Sequence, residues 1–173
     1  MQNNLPSIPS WDEYFMRHVY LSATKSKDPR TKIGAILVRD GRHIISEGYN
    51  GIPKGVCDCK PERFERPEKY NWFEHAERNS VYVCARYGIA SDGTTMYTQG
   101  IPCINCTRAV VQAGIKELVV HKQWEDNYDS TTSSINNDID ARVNMLSEAG
   151  VVVRRYDGIL NVQGFMDGKI LHV

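Results

Sequence analysis

Apolar positions recur at helical spacing through "SWDEYFMRHVYLSATKS", where Tyr14, Phe15, Val19 and Leu21 to Ala23 follow Ser10. Ser10 with Glu13 three residues later has the form of a capping box, so a helix is predicted over about 10–26. The pattern then changes to two β-rich runs around Asp40-Gly41 in "TKIGAILVRDGRHIISEGYNG", which predicts an antiparallel hairpin. Periodicity is lost from Gly51 to Tyr70, "GIPKGVCDCKPERFERPEKY", a polar, proline-containing and charge-dense stretch. It reads as a long loop or insertion, either functional or simply a solvated surface. A helix follows over about 75–87 and stops at Gly88. "TTMYTQG" is a short strand, and "PCINCTRAVVQAG" a helix with Pro102 before its first turn and Gly114 after its last. Next come a strand in "KELVVHK", a polar loop over 122–134, a helix in "INNDIDARVNMLSEAG" closed by Gly150, and a strand in "VVVRRY". The tail, 157–173, has room for a hairpin around Asp167-Gly168. The later half thus alternates helix and strand with short connections. That predicts an α/β sandwich with a hairpin at one edge, formed by one domain over 1–173 with an insertion at about 51–70.

Composition narrows the function. A chain of 173 residues buries roughly two thirds or more of its extended surface and needs no disulfides for stability. Lysine plus arginine equals aspartate plus glutamate at 21 each, which disfavours nucleic acid as the main partner and still allows a local cationic site for one phosphate. The start, "MQNNLPSIPSWDEYF", shows no basic segment followed by an apolar run, and no stretch approaches the ~20 apolar residues of a membrane span. The expectation is a cytoplasmic protein without membrane attachment. Its five cysteines then read as metal ligands, reactive groups or small core residues before disulfides.

The chemistry concentrates in two short runs. "HAE" sets His75 two residues before Glu77 at a helix start. Further on, "PCINC" sets Cys103 and Cys106 at a second helix start, where amides and the dipole favour thiolates. One histidine and two thiolates give three zinc ligands, and three rather than four imply an open position for water. Glu77 is close enough to that water to move its protons without binding the metal. H-x-E … P-C-x-x-C is the established signature of the zinc deaminases of cytosine and adenine. The alternative is a closed structural site with Cys84 or His121 as fourth ligand, although Cys84 lies more than two helical turns beyond His75 and is more simply a small helix-face residue.

With these motifs in place, the chain from about Tyr20 to Val153 resembles the deoxycytidylate (dCMP) deaminases. The similar stretches are "SKDPRTKIGAILV", "SEGYNGIPKG", "HAERNSV", "TMYTQGIPCINCTRAVVQAGIKELVV" and "MLSEAGVVV". The resemblance implies a three-layer α/β/α sandwich around a mixed sheet of about five strands, the cytidine deaminase-like fold. It implies hydrolysis of dCMP to dUMP and ammonia, which supplies the thymidylate precursor, with one catalytic Zn(II) per subunit on His75, Cys103 and Cys106 and with Glu77 as proton shuttle. Asn50 matches a residue that hydrogen-bonds the sugar hydroxyl, its rival reading being a turn residue before Gly51. Ser26 and Lys27 match a 5′-phosphate position, or else a solvated helix end. Trp124 and Tyr128 lie where relatives place an aromatic over the base. The resemblance further implies a homohexamer, activated by dCTP and inhibited by dTTP, with Mg(II) accompanying the effector near Tyr49, Asn50 and Gly51. Arg86 matches an interface arginine, or is an exposed helix-end cation. A second zinc on Cys57 and Cys59 lacks support, since "SKDPRTK" holds no cysteine and no other histidine precedes His75 closely. His18, His43, His121 and His172 read as surface or core residues.

Three rivals remain at this point. The same chemistry on cytidine, guanine or tRNA adenosine is one, and balanced charge disfavours the tRNA case. A zinc-stabilised binding module would have no need of Glu77. A C-x-x-C redox protein would leave His75 and Glu77 without a role.

Overall fold

The computed structural model describes residues 8–128 and 138–173. Helix α1 spans Trp11–Ala23, and the Ser10 hydroxyl accepts the Glu13 N–H at 3.2 Å, as the capping pattern predicts. The helix is shorter than the expected 10–26. The Thr24 hydroxyl bonds back to the Leu21 carbonyl at 2.6 Å, and Ser26 is drawn instead to the Asn50 carbonyl at 2.8 Å. Strands β1 (Gly34–Arg39) and β2 (His43–Tyr49) form the predicted hairpin. Asp40 and Gly41 both have positive φ, as a tight turn matched to strand twist requires.

The insertion leaves at Gly51 and returns at Glu74, where the two residues exchange backbone hydrogen bonds of 3.0 and 2.8 Å. Within it lie a 3₁₀ turn, Pro61–Phe64, and the short helix α2, Lys69–Trp72. The Arg63 guanidinium sits 3.7 Å over the Trp72 ring, and Phe64 meets Phe73 edge-on. Cys57 and Cys59 are joined as a disulfide, which corrects the expectation of metal ligands, reactive groups or core residues. Their Cα atoms are 5.4 Å apart, within the range that a disulfide spans.

Helix α3 runs Ala76–Tyr87 and ends on Gly88 in the left-handed region. Strand β3 (Thr95–Thr98), helix α4 (Ile104–Gln112) and strand β4 (Glu117–His121) follow. The predicted polar loop at 122–134 is in its first part a helix, α5 (Lys122–Tyr128). Trp124, only 2 % exposed, anchors it, and Lys122 pairs with Asp126 one turn on. Local burial of one large ring thus outweighs polar composition. Residues 129–134 lie outside the described residues. Helix α6 (Ile139–Glu148), strand β5 (Val152–Tyr156) and the hairpin β6 (Gln163–Met166) and β7 (Lys169–His172) complete the chain. The first part of the predicted helix at 135–150 is likewise outside the described residues.

The central sheet has five strands in the order β2-β1-β3-β4-β5. It is mixed: β1 is antiparallel to β2 and β3, while β3, β4 and β5 are parallel. Alternation along the strands divides the core. Ile36, Val38, Tyr97 and Val119 pack with Phe15, Met16, Val19 and Tyr20 of α1 and with Trp124. Leu37, Met96, Leu118 and Val120 face Cys84 of α3, Val110 of α4 and Leu146 of α6 on the other side. Helices therefore cover both faces, and the predicted α/β/α layering with a hairpin at one edge is the observed one. Among the described residues no helix is long and apolar enough to cross a membrane.

Candidate metal centre and active site

Helices α3 and α4 begin at the same corner. His75 is the N-cap of α3 and Cys103 the N-cap of α4, both with extended backbone and neither spending its side chain on the cap. Each side chain is therefore free to leave the helix end. Cys106, one turn into α4, lies on the same face as Cys103. His75 Nδ1 is 3.5 Å from both sulfurs. The three ligand atoms all lie within 4.8 Å of one another, the one metal-capable group of this kind among the described residues. A tetrahedral zinc with ordinary bond lengths would separate nitrogen from sulfur by roughly 3.6 Å, so the donor set and its spacing fit that ion. Neither proposed fourth ligand joins the group. Cys84 is buried in the core under α3, and His121 is bonded to the Tyr20 hydroxyl at 2.8 Å and to the Gly158 carbonyl at 3.1 Å.

The packing that fixes this corner is specific. A Cβ on Gly48 would stand 2.3 Å from the Ala76 carbonyl oxygen, so only glycine lets α3 approach β2 this closely. The Ser46 hydroxyl donates to the Ser80 carbonyl at 2.6 Å, and the Asn79 amide donates to the Tyr49 carbonyl at 2.8 Å. Glu74 accepts the His75 N–H at 2.8 Å and also pairs with Arg78. On the α4 side, the Pro102 carbonyl takes the Thr107 hydroxyl and the Arg142 guanidinium, at 3.2 and 3.3 Å.

Electrostatics follow from this crowding. A hydrogen bond from Cys106, helped by His75, pulls the Cys103 thiol down to about 3. Cys106 is pushed up as the partner that keeps the shared proton. His75 is raised, chiefly by its bond to Cys103. Glu77, the second residue of α3 and 6 % exposed, has its carboxyl raised by burial against the opposing pull of His75.

The other predicted site residues are placed as follows. Asn50 is buried at the end of β2, and Ser26 beneath it. Lys27 is exposed and ion-paired with Asp58 of the insertion. The ring of Trp124 packs on Tyr20, Gly100 and Gly164, and Tyr128 lies half-buried against the same core. Tyr49 is partly exposed, Gly51 closes the insertion, and Arg86 is exposed in the last turn of α3, far along the helix from His75. Sequence reasoning missed Asp28 and Lys69, which form a buried ion pair against Asn50. The only available signal was Asp28 within "SKDPRTK"; nothing marked Lys69.

The mixed sheet, the two convergent helix ends and the His/Cys/Cys group define the class, the zinc-dependent hydrolytic deaminases. Residues 9–122 match the cytidine and deoxycytidylate deaminase zinc-binding region, and the chain belongs to that family. It is 39 % identical over 117 residues to ComE operon protein 2 of Bacillus subtilis, covering 67 % of this chain and 61 % of that one. It is 31 % identical over 152 residues to the deoxycytidylate deaminase of Homo sapiens, covering 84 % and 79 %. The dCMP deaminase of cyanophage S-TIM5, solved in complex with dCMP and dUMP, superposes with a TM-score of 0.62 at 25 % identity, over 87 % of this chain and 100 % of that one.

Proposed function

We propose that this protein hydrolyses dCMP to dUMP and ammonia. The observation that carries the reading is the convergence of His75, Cys103 and Cys106 beside the buried carboxylate of Glu77. Zinc held by those three residues would make hydroxide available near neutral pH. Glu77 takes the water proton as oxygen bonds to C4 of the cytosine, and passes it to N3. It then takes the remaining proton from the new C4 hydroxyl and gives it to the exocyclic amine, the C4–N bond breaks, ammonia leaves and C4 is left as a carbonyl. Burial raises the Glu77 carboxyl, which suits a group that must hold a proton and then hand it on.

In this reading Asn50 meets the sugar hydroxyl, and Tyr128, less enclosed than Trp124, lies against the base. Lys27 reaches the 5′-phosphate by exchanging Asp58 for it; Ser26, expected at the same phosphate, is buried and gives its hydroxyl to the Asn50 carbonyl instead, so it supports Asn50 from below. Supply of the thymidylate precursor belongs to the same proposal. So do activation by dCTP, inhibition by dTTP with Mg(II), and a cytoplasmic homohexamer with Tyr49, Gly51 and Arg86 near the effector and subunit contacts. The resemblance of the "GYNG" stretch to the dCMP deaminases supports these parts.

The test is an ultraviolet-monitored deamination assay of the zinc-loaded protein on dCMP beside deoxycytidine. Conversion of dCMP alone is expected. No conversion of dCMP, even with dCTP present, would overturn the reading.

A further inference from the structure

The insertion contributes a buried lysine to the corner occupied by Asn50. Lys69 Nζ lies 2.5 Å from Asp28 Oδ2, and their side chains are 10 % and 1 % exposed. The same carboxylate oxygen accepts the Asn50 amide at 2.9 Å. Its other oxygen accepts the backbone N–H groups of Arg30 and Thr31 at 2.8 and 3.2 Å. Asn50 Nδ2 gives its second hydrogen to the Thr31 carbonyl at 2.8 Å, and Asn50 Oδ1 receives the Ile33 N–H at 2.8 Å.

These bonds permit one orientation of the amide. Turned over, its oxygen would face the Asp28 carboxylate and the Thr31 carbonyl, and its NH₂ would face the Ile33 N–H. Both amide hydrogens are committed, and one lone pair remains on Oδ1. Asn50 can therefore only accept from a ligand. In a 5′-monophosphate of deoxyribose the one free sugar hydroxyl is the 3′-OH, a donor. The carboxylate that enforces this orientation is buried, and a buried charge stays in place only with a counter-charge. Lys69 is that counter-charge.

We infer that Lys69 of the insertion is a positioning residue for sugar recognition, pairing with Asp28 so that Asn50 is locked as an acceptor for the 3′-hydroxyl. The inference rests on the dCMP reading above. The insertion thereby acquires a defined role. Its helix α2 carries a cation into the substrate corner, and the Gly51–Glu74 bridge holds the excursion in register.

The experiment compares wild-type, Lys69→Met and Lys69→Arg proteins, each with its zinc content measured, on dCMP and on 2′,3′-dideoxycytidine 5′-monophosphate. Wild type should prefer dCMP. In Lys69→Met, KM for dCMP should rise roughly tenfold with kcat within about threefold, and zinc content should be unchanged. The preference over the dideoxy substrate should collapse, and Lys69→Arg should restore it. A merely structural lysine would lower both substrates equally, so an unchanged preference in Lys69→Met overturns the inference. If Lys69→Met does not fold, Lys69→Gln, which keeps a donor toward Asp28 but removes the counter-charge, is read in the same way. A wild-type enzyme inactive on dCMP would instead overturn the functional reading and the inference with it, a result distinguishable from a retained preference.

Discussion

The metal centre and the Asn50 corner adjoin at the Gly51–Glu74 bridge, where Asn50 precedes Gly51 and His75 follows Glu74, yet they are built differently. The metal centre draws His75, Glu77, Cys103 and Cys106 from two short runs, each at the start of a helix packed on the sheet. The Asn50 corner draws Ser26, Asp28, Asn50 and Lys69 from the turn after α1, the end of β2 and the insertion. The first is positioned by elements whose geometry is set locally. The second is positioned by hydrogen bonds among residues that share no element. Bond-making chemistry tolerates little displacement and benefits from rigid supports, whereas a corner that reads a substrate can be assembled from loops.

The largest expected effect separates chemistry from scaffold. Glu77→Gln preserves shape but cannot carry the proton, so turnover should fall by about 10²–10⁴-fold while zinc content and melting temperature stay near wild type. Steady-state kinetics with metal analysis checks this; retained activity would remove Glu77 from the mechanism.

Next comes the support under the metal centre. Gly48→Ala would force a methyl against the Ala76 carbonyl and the Ser80 N–H. The expected cost is about 1–3 kcal/mol in denaturant unfolding, accompanied by lower turnover because α3 carries both His75 and Glu77. An alanine variant of wild-type stability would show that α3 is not seated by this contact.

The smallest effect concerns the last residue of β4. His121 is buried against Tyr20 and Gly158, and burial holds its imidazole below the ordinary value of 6.5. The native state therefore stays neutral while the unfolded chain takes up a proton, so stability is full above about pH 6.5 and falls as the pH drops below it. Unfolding at pH 7.5 and 5.5 should show this loss. His121→Gln should reduce the slope; an unchanged slope would assign the pH dependence elsewhere.

The contrast between the two corners also decides what could be read in advance. H-x-E and C-x-x-C are legible because the spacing along one helix end is the spacing in space. The Asp40-Gly41 and Asp167-Gly168 hairpins were legible for the same reason: positive φ at both turn residues is a local demand. Lys69 was not, since a lysine in a charged stretch looks solvated, and only the tertiary approach of Asp28 buries it. Helix α5 was hidden in polar composition because its stability comes from one ring, Trp124, inserted between Tyr20 and Gly164. The Cys57–Cys59 disulfide ran against an expectation drawn from compartment rather than from geometry.

The paired backbone of Gly51 and Glu74 has a consequence for how this chain tolerates change. An excursion whose two ends are already joined can be lengthened with little effect on what lies beneath it, since doubling such a loop costs only about 0.6 kcal/mol in closure entropy. The exposed stretch from Pro53 to Lys60 is thus the natural place to graft a fluorophore tag or a short affinity epitope, provided that Lys69 and the residues after it are left in register.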